Sequence, residues 1–321
     1  MLNDPVLVDD WHPVCRGSDV GEGEVLATRL LDEDLVIWRD KGTVLAWRDL
    51  CVHRGTRLSL GSVEDSRLVC PYHGWNYDAE GQCVLIPAHP EARIPSKARV
   101  QTFQAREQYG LVWVALGAPD RDVPPYPDWD DDGFRKVLCG PYELDAGGPR
   151  IIENFLDIAH LSFLHDGILG DSLAPEIPDY TVVADAEGIV AKGVGCVSPE
   201  IHGTGGEMVL WTYRVFRPLT AYLVSENEGP KYSVALFVAP RDTLRSTCWI
   251  YLGLDTPVDD TDEELESWQN SVTFADVPIV QSQRPELLPL DLQAELHLKS
   301  DRLAVAYRRW LGDLGVTFST A

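Results

Sequence analysis

Two cysteines and two histidines lie close together in the first third of the chain, within the segment CVHRGTRLSLGSVEDSRLVCPYHGWNYD. Cys51 and His53 form a CxH pair, and Cys70 and His73 form a CxxH pair after sixteen intervening residues. Two thiolates and two imidazoles suit either a tetrahedral zinc ion or a 2Fe-2S cluster with one iron held by cysteines and the other by histidines. Each short loop supplies one ligand of each kind, so each loop reaches both irons of such a cluster. The interleaved order favours the cluster, and zinc is the alternative.

The residues beside these four ligands also suit a cluster. RG follows His53 and GW follows His73, so small residues stand where the backbone must approach the inorganic sulfides. Backbone N–H groups that point at the sulfides would raise the reduction potential. Tyr72 and Trp75 are placed to shield the cluster from water. The segment is therefore predicted to be an electron-transfer site.

A second group of candidate ligands occurs in the segment ENFLDIAHLSFLH, which contains Asn154, Asp157, His160 and His165. Residues 150–167 have apolar residues at helical spacing and no proline, so we predict a helix there. Asp157 precedes His160 by three residues and shares its face of that helix. The carboxylate can accept the second N–H of the imidazole or line the route to a metal. Asn154 is interpreted either as a support near the metal or as a residue that hydrogen-bonds within the helix.

The two histidines can share one metal ion only if this helix is distorted. Five residues at about 100° each place His160 and His165 roughly 140° apart on an ideal helix. A shared ion therefore requires a bend, a π-bulge, or a position of His165 beyond the helix end. We predict this distortion near Ser162–Leu164.

The composition is that of a folded protein of one large or two ordinary domains, with 321 residues, of which 45% are apolar and 24% charged. No segment approaches the roughly 20 consecutive apolar residues of a membrane span. The start of the chain lacks the features of a signal peptide, so we expect a cytoplasmic protein. The formal charge of −24 argues against nucleic-acid binding. The acidic segments 127–133 and 255–266 are interpreted as solvated loops, or alternatively as a docking surface for a basic redox partner.

The remaining cysteines and histidines are interpreted as structural, because none of them has a partner at ligand spacing and free cysteine is readily buried. The cysteines in this group are Cys15, Cys83, Cys139, Cys196 and Cys248. The histidines in this group are His12, His89, His202 and His297. Aromatic residues of the later strands are candidates for a substrate pocket, although we expect most of them in the core. These residues are Trp211, Tyr213, Phe216, Tyr222, Phe237 and Trp249.

The predicted elements divide the chain into two domains, 1–120 and 121–321. The first third has short strands and is predicted to be all-β. These strands are expected within 24–50, 67–70, 82–86 and 111–116. Residues 117–133 are rich in proline and aspartate and are predicted to be a linker or a long loop. Beyond it, residues 179–254 favour an antiparallel sheet. Helices are predicted at 261–284, opening with a capping pattern, and at 300–314.

The CxH and CxxH pairs resemble those of the Rieske family, and the pattern NxxDxxHxxxxH after such a domain resembles the α subunit of Rieske non-haem iron oxygenases. The resemblance covers essentially the whole chain. It implies an α+β protein in which an N-terminal all-β Rieske 2Fe-2S domain precedes a catalytic domain with an antiparallel sheet and packed helices, helix-grip-like in arrangement. It also implies that His160, His165 and a distant aspartate hold a mononuclear Fe(II), with open positions for O2 beside the substrate.

Two aspartates compete for the third iron position. Asp276 is followed by apolar residues and glutamine, as the family pattern implies, whereas Asp291 follows Pro289 in a stretch typical of a cap or turn. We therefore favour Asp276 and keep Asp291 as the alternative. Pro278 is close to Asp276, and we expect the helix to begin or kink there.

The resemblance implies a terminal oxygenase that receives electrons from NAD(P)H through a reductase, directly or by way of a ferredoxin, and uses O2 to oxidise a small organic substrate. It implies a head-to-tail homotrimer, because in the family the cluster and the iron of one chain are too far apart for fast transfer. Asp157 is then the carboxylate that bridges His73 of the partner subunit to His160.

The short chain resembles the stand-alone α subunits, such as the vanillate and dicamba O-demethylases, which points to monooxygenation and to O- or N-dealkylation. Ring cis-dihydroxylation is the alternative within the class. Outside the class, the alternative is a non-catalytic Rieske electron carrier whose second domain holds no iron.

Overall fold

The structure, a computed structural model, describes residues 4–198, 206–229 and 231–321. It contains two compact units, Met1–Val123 and Pro124–Ala321. No helix or strand is assigned to residues 116–134, the part of the chain that is rich in proline and aspartate. Among the described residues, no helix is long and apolar enough to cross a membrane.

The first unit is built almost entirely of short antiparallel strands. Its elements are α1 (Pro5–Val8), β1 (His12–Arg16), β2 (Val25–Leu30), β3 (Glu33–Asp40), β4 (Thr43–Arg48), β5 (Ser62–Glu64), β6 (Arg67–Val69), β7 (Asn76–Tyr77), β8 (Cys83–Leu85), β9 (Thr102–Gln108) and β10 (Leu111–Ala115). A six-stranded sheet has the order β1-β10-β9-β4-β3-β2, and a four-stranded sheet has the order β5-β6-β7-β8. The predicted strands of this region are confirmed.

The core of the first unit contains the two predicted cluster cysteines. Trp38 and Trp47 meet edge to face, with ring centroids 4.9 Å apart, and both side chains are fully buried. Cys51 and Cys70 belong to the same buried apolar cluster. The sheets thus place both thiols in an environment that excludes water.

The second unit is a large antiparallel sheet with helices packed on it. Its elements are β11 (Arg135–Leu144), α2 (Gly148–Leu156), α3 (Leu161–Leu164), β12 (Thr181–Asp185), β13 (Gly188–Ser198), β14 (Glu207–Arg217), β15 (Thr220–Ser225), β16 (Tyr232–Asp242), β17 (Arg245–Leu254), α4 (Asp262–Ser282) and α5 (Arg302–Leu314). The seven strands have the order β11-β17-β16-β15-β14-β13-β12. Helix α4 packs against β11, α2 against β16, and α5 against β12 and β13. The α+β fold class is confirmed.

Helix α4 begins as the capping pattern predicts. The Thr261 side chain accepts the Glu264 N–H, and the Glu264 carboxylate accepts the Thr261 N–H, at 3.2 and 2.8 Å. The expectation that a helix begins at Pro278 is wrong, because α4 continues from Asp262 to Ser282. Pro278 and Phe274 both lie on the exposed side, where water can replace the hydrogen bond that proline cannot donate.

The predicted single helix over 150–167 is interrupted before the predicted segment Ser162–Leu164, whereas His165 lies beyond the end of its helix, which is one of the predicted alternatives. Helix α2 ends at Leu156, and the short helix α3 begins at Leu161. The carboxylate of Asp157 accepts the N–H of Ala159 at 2.8 Å. Such a side-chain bond competes with helical hydrogen bonding, so the break lies at 157–160 and not near 162–164.

Candidate metal centres

The two cluster loops have the same backbone construction. The N–H of Gly55 donates to the carbonyl oxygen of Cys51 at 2.9 Å, and the N–H of Gly74 donates to that of Cys70 at 3.0 Å. Both glycines have positive φ angles, +72° and +66°, in the left-handed region that other residues rarely adopt. Each ligand pair therefore lies in a tight turn whose shape is set by its own backbone.

The four predicted cluster ligands are brought together at one end of these turns. Cys51 and Cys70 are each 2% exposed, whereas His53 is half-buried and His73 is exposed. The two imidazole rings lie edge to face, with centroids 4.6 Å apart. The Nδ1 atom of His53 is buried and has no hydrogen-bond partner among the described residues. A buried, unpaired imidazole nitrogen beside two buried thiols fits a 2Fe-2S cluster with mixed ligands.

Aromatic residues surround this group. Trp75 stacks on His53 at 4.5 Å with an interplanar angle of 5°, as its predicted shielding role requires. Tyr72 contacts the ring of His73, but its side chain is 63% exposed, so it covers the group only in part.

Tyr77 is a neighbour of the cluster ligands that residue spacing does not indicate. Its hydroxyl lies 3.1 Å from Cys51 Sγ, and burial raises the pKa of the phenol well above its usual value. The phenol is therefore protonated, and its O–H can donate to the sulfur when Cys51 is the thiolate that a cluster requires. Tyr77 stands seven residues after Cys70 on strand β7, and only the pairing of β6 with β7 turns it toward Cys51.

The second centre brings together three of the predicted ligands. One ligand atom each from His160, His165 and Asp276 lies within 4.8 Å of the others. Asp276 Oδ1 is 3.1 Å from His165 Nε2 and 3.5 Å from His160 Nε2. Two imidazole nitrogens thus converge on one carboxylate, and this donor set fits a mononuclear non-haem iron. Asp291 lies instead in an exposed turn, where it accepts the Gln293 N–H at 2.9 Å.

The break between α2 and α3 allows the two histidines to face the same point. His160 is the N-cap residue of α3, and His165 directly follows the last residue of that helix. The chain then folds back so closely that a Cβ atom on Gly170 would lie 2.5 Å from the backbone of Leu161. Only glycine fits at this position, so the return of the chain beside α3 depends on Gly170.

His160 is held in the form that binds metals. Desolvation by burial lowers its pKa below the usual value, and this effect outweighs the opposing influence of Asp276 and Asp157. The ring is therefore neutral near pH 7, and a neutral imidazole nitrogen is a ligand. The Nδ1 atom of His160 is buried without a hydrogen-bond partner among the described residues.

The two polar residues of α2 and its end lie beside the same group. Asn154 Nδ2 donates to Asp276 Oδ1 at 3.4 Å, which is contact with the candidate ligand and not a bond within the helix. Asp157 Oδ2 is 3.9 Å from His160 Nδ1, beyond hydrogen-bond distance, and its side chain is 45% exposed. Asp157 is therefore accessible from solvent at the edge of the centre.

Among the residues interpreted as structural, the cysteines are buried, whereas the described histidines differ in exposure. All seven cysteines are buried and unpaired with one another. His12 Nε2 lies 2.8 Å from the carbonyl oxygen of Leu7 in the core of the first unit. His89 is exposed, His297 is half-buried, and His202 lies outside the described residues.

A cavity of about 130 Å³ opens beside the three converging ligands. Its wall is mostly apolar and comes from β11, α2, α4 and the central strands. Of the aromatic residues proposed for a pocket, Trp211 and Tyr213 lie in the wall, whereas the others do not. Those others are Phe216, Tyr222, Phe237 and Trp249.

Comparison with known proteins identifies both halves of the chain. Residues 10–104 match the Rieske [2Fe-2S] domain family, and residues 144–316 match the vanillate O-demethylase oxygenase C-terminal domain family. Methylxanthine N1-demethylase NdmA from Pseudomonas putida is 33% identical over 95% of this chain and 88% of its own length. The probable methylxanthine N7-demethylase NdmC from Pseudomonas sp. (strain TJI-51) is 35% identical over 98% of this chain and 96% of its own length. The solved structure of NdmA from Pseudomonas putida CBB5 with caffeine superposes with a TM-score of 0.83 at 30% identity, covering 96% of this chain and 90% of that one.

Proposed function

The chain belongs to the Rieske non-haem iron oxygenases, and from that premise we propose that it removes a methyl group from a nitrogen atom of a small organic molecule. It is an oxidoreductase, the terminal oxygenase of its system, and its cofactors are a Rieske 2Fe-2S cluster and a mononuclear non-haem iron. In the proposed reaction, one atom of O2 enters the methyl C–H bond and the other leaves as water, with two electrons and two protons supplied. The hydroxymethyl amine then breaks into the demethylated amine and formaldehyde.

The observation that carries this proposal is the convergence of His160 Nε2 and His165 Nε2 on Asp276 Oδ1 at the wall of an apolar cavity. We assign these three residues as the ligands of the catalytic iron. The N-demethylase reading rests on the similarity to methylxanthine N-demethylases along nearly the whole chain.

For the cluster, we assign Cys51 and Cys70 to one iron and His53 and His73 to the other. When bound, the cluster supplies single electrons, and the catalytic iron supplies the activation of O2. Trp75 covers the ring of His53, and Tyr77 holds the sulfur of Cys51 by a hydrogen bond.

The residues around the cavity position the substrate and the ligands. Asn154 donates a hydrogen bond to Asp276 and so restricts the rotation of that carboxylate. The apolar walls remove water from the methyl group that reacts, which protects it from competing reactions. The same apolar surroundings keep water away from His160, and this desolvation lowers the pKa of its imidazole, which therefore stays neutral.

In this proposal, a separate protein supplies the electrons that reduce the Rieske cluster. A reductase, with or without a ferredoxin, reduces the cluster with electrons from NAD(P)H. We propose a head-to-tail homotrimer in which Asp157 joins His160 to His73 of the partner subunit. The exposure of the His73 and Asp157 side chains supports this arrangement, since both are available to a neighbouring copy.

The seven unpaired cysteines support a reducing, cytoplasmic location.

The test is turnover of the fully loaded protein with a reductase, NADH and a set of N-methyl and O-methyl compounds, with O2 uptake and formaldehyde measured together. One formaldehyde per O2 and about three irons per chain are the expected results.

O-demethylation is the second candidate, because residues 144–316 match the vanillate O-demethylase family. Formaldehyde from O-methyl compounds alone would select it. A cis-diol product would replace demethylation by ring dihydroxylation, and about two irons per chain would indicate an electron carrier.

A further inference from the structure

Helix α3 is too short to set the position of His165 by itself. It has only four residues, Leu161–Leu164, and His165 directly follows it. A single helical turn is unstable without support from the structure around it. The side chain of His165 is nevertheless only 1% exposed, and its Nε2 atom lies 3.1 Å from Asp276 Oδ1. The contacts of the segment that follows His165 therefore bear on the position of this ligand.

Residues 165–170 form a closed turn. The carbonyl oxygen of His165 accepts the N–H groups of Ile168 and Leu169, at 3.0 and 2.9 Å. The Gly170 N–H donates to the same oxygen at 3.3 Å, and the Gly167 N–H donates to the carbonyl oxygen of Gly170 at 2.9 Å. Gly167 has a φ angle of +77°, in the left-handed region that favours glycine. The backbone of the ligand is thus part of a turn that the residues after it form.

The carboxylate of Asp166 closes this turn on its outer side. Its Oδ1 accepts the Ser172 N–H at 2.8 Å, and its Oδ2 accepts the Ser172 O–H at 2.9 Å. Hydrogen bonds to an ionised acceptor are stronger than those between neutral groups. We call these two bonds the Asp166–Ser172 link. Because Asp166 is the residue next to His165, the link ties the backbone at the ligand to a residue beyond the turn.

The inner side of the turn is held by other contacts. The Leu169 side chain lies in the cavity wall, and its carbonyl oxygen accepts the thiol of Cys196 at 3.7 Å. Gly170 lies so close to the backbone of α3 that a Cβ atom would not fit. Asp166 is exposed and Ser172 is half-buried, so their bonds are on the solvent side. The Asp166–Ser172 link therefore restrains the outer half of a turn whose inner half is held by packing.

We infer that Asp166 is a positioning residue for the catalytic iron: its link to Ser172 holds His165 with the Nε2 atom directed toward Asp276. Asp166 is outside the group of converging ligand atoms, so it acts through the backbone of His165. This inference rests on the proposed function, which assigns His165 to the iron. A ligand that is already in place loses less freedom when the ion binds, so the link raises the affinity of the site for Fe(II).

The test measures how tightly the catalytic site binds Fe(II). Protein that carries the cluster is dialysed without O2 against a series of Fe(II) concentrations, and bound iron is measured with the iron of the cluster subtracted. We expect Asp166→Ala to weaken this binding by about tenfold, because loss of a residue that orients a ligand typically costs about 10- to 100-fold in metal affinity. The visible absorbance of the cluster should not change.

Asparagine at this position should restore the binding. Its oxygen accepts the Ser172 N–H and its NH2 group donates to the Ser172 hydroxyl, so both contacts of the link are kept without the charge. We expect Asp166→Asn to bind Fe(II) within about threefold of the wild-type protein. This variant also decides the matter if Asp166→Ala does not fold. Binding as weak as that of Asp166→Ala would overturn the link, since the charge alone would then determine the affinity.

A double-substitution cycle tests whether the two residues act as one contact. Ser172→Ala removes the bond to the hydroxyl and keeps the bond to the backbone N–H, so we expect a loss of about threefold in Fe(II) affinity. The protein with both Asp166→Ala and Ser172→Ala should bind Fe(II) as weakly as Asp166→Ala and no more weakly, since the same contact is lost. Losses that multiply would overturn the link.

The matched control is Asp171→Ala. Asp171 lies in the same segment, and its carboxylate accepts the Leu173 N–H at 2.8 Å, but it is not adjacent to an assigned ligand. The variant should bind Fe(II) within about twofold of the wild-type protein. A loss of about tenfold would mean that any change in this segment weakens the site, which would overturn the specific role of Asp166.

The outcomes separate this inference from the proposed function. Unchanged Fe(II) binding in Asp166→Ala, beside a wild-type protein that holds its catalytic iron and releases formaldehyde, would overturn the inference alone. Absence of iron beyond the cluster in the wild-type protein would overturn the assignment of the ligands and the inference with it. The expected order of affinities without release of formaldehyde on turnover would contradict the demethylase function and leave the role of Asp166 in place.

Discussion

The two metal centres are built in opposite ways. The cluster site uses two short turns within residues 51–74, each shaped by its own backbone hydrogen bonds, and it places the ring of His73 in solvent. The iron site uses side chains from α3 and α4, separated by 111 residues, and the side chain of His165 is 1% exposed. The first site depends on local turn geometry, whereas the second exists only where packed helices meet.

This difference determines how each centre responds to change. The geometry of the cluster loops should survive most substitutions outside residues 51–77. The iron site should fail whenever a ligand is lost or whenever the packing of α2, α4 and α5 is loosened. The substitutions below should therefore affect one centre and spare the other, except for Asp157→Asn, which tests the path between them.

Loss of Asp276 is expected to have the largest effect. In Asp276→Ala the two histidines remain, but the only negatively charged ligand of the iron is gone, so binding of a divalent ion fails. Iron should fall from about three to about two per chain, and turnover should fall to background. The visible absorbance of the cluster should be unchanged. Metal analysis and absorbance on the same sample give both numbers.

The control for this substitution is Asp291→Ala, because Asp291 was the competing ligand and lies in an exposed turn. It should keep all of its iron. Loss of iron in Asp291→Ala with retention in Asp276→Ala would reverse the assignment of the third ligand. Loss of the cluster in Asp276→Ala would show that the two centres are less independent than their construction indicates.

Helix α2 is held in place by a buried ion network, and breaking it should loosen only the catalytic unit. Arg308 of α5 binds Glu153 of α2 through Nε at 2.5 Å and Nη2 at 2.8 Å. Arg308 also pairs with Glu295, and in its absence Glu153 and Glu295 share Arg150 alone, at 3.4 and 2.8 Å. Arg308→Met thus leaves one carboxylate charge of the network uncompensated and should lower the free energy of unfolding of this unit by roughly 3–5 kcal/mol. Denaturant unfolding followed by circular dichroism measures the change, and cluster absorbance reports on the first unit.

Two further variants sharpen this prediction. The second change Glu153→Leu in the Arg308→Met protein removes the stranded charge and should recover much of the loss. Arg135→Met breaks an exposed pair with Asp262 and should change stability by less than about 1 kcal/mol. Equal losses in Arg308→Met and Arg135→Met would mean that the buried network does not hold α2.

The same contrast explains what the sequence predicts well. The cluster ligands follow from spacing, because a tight turn brings near neighbours together whatever the rest of the fold. The choice of Asp276 needed a family resemblance, since nothing in the sequence shows which distant aspartate a helix will turn toward His165. Thr261 and Glu264 predicted the start of α4 correctly, because a capping box is a local interaction.

The errors have physical causes that can be named. The break between α2 and α3 comes from a bond between the carboxylate of Asp157 and the N–H of Ala159, in a segment whose apolar spacing is helical throughout. Tyr77 was missed because strand pairing, and not spacing, brings it to Cys51.

Asp157→Asn tests the proposed path between the centres. Asparagine keeps an oxygen that accepts the Ala159 N–H, so the break between the helices and both metal sites should be retained. The loss of charge beside His160 should slow turnover by about 10- to 100-fold. Oxidation of a pre-reduced cluster by O2 in the presence of substrate, followed by stopped-flow absorbance, isolates this step.

The matched control is Asp185→Asn, because Asp185 accepts the N–H of Glu187 at 2.8 Å in a similar exposed turn far along the chain. It should react at the wild-type rate. A normal rate of cluster oxidation in Asp157→Asn would remove the bridging role from Asp157. A loss of iron in that variant would show instead that the carboxylate supports the metal site itself.

Tyr77→Phe should have the smallest effect and should act on the cluster alone. The Tyr77 hydroxyl donates to Cys51 Sγ at 3.1 Å and so stabilises the reduced cluster, which carries more negative charge. A hydrogen bond worth about 1 kcal/mol corresponds to a fall of roughly 40 mV in a one-electron potential. Tyr72→Phe removes a hydroxyl from an exposed ring beside His73 and should shift the potential far less. Equal shifts in the two variants, measured by redox titration, would mean that solvent exposure and not the Tyr77 bond tunes the cluster.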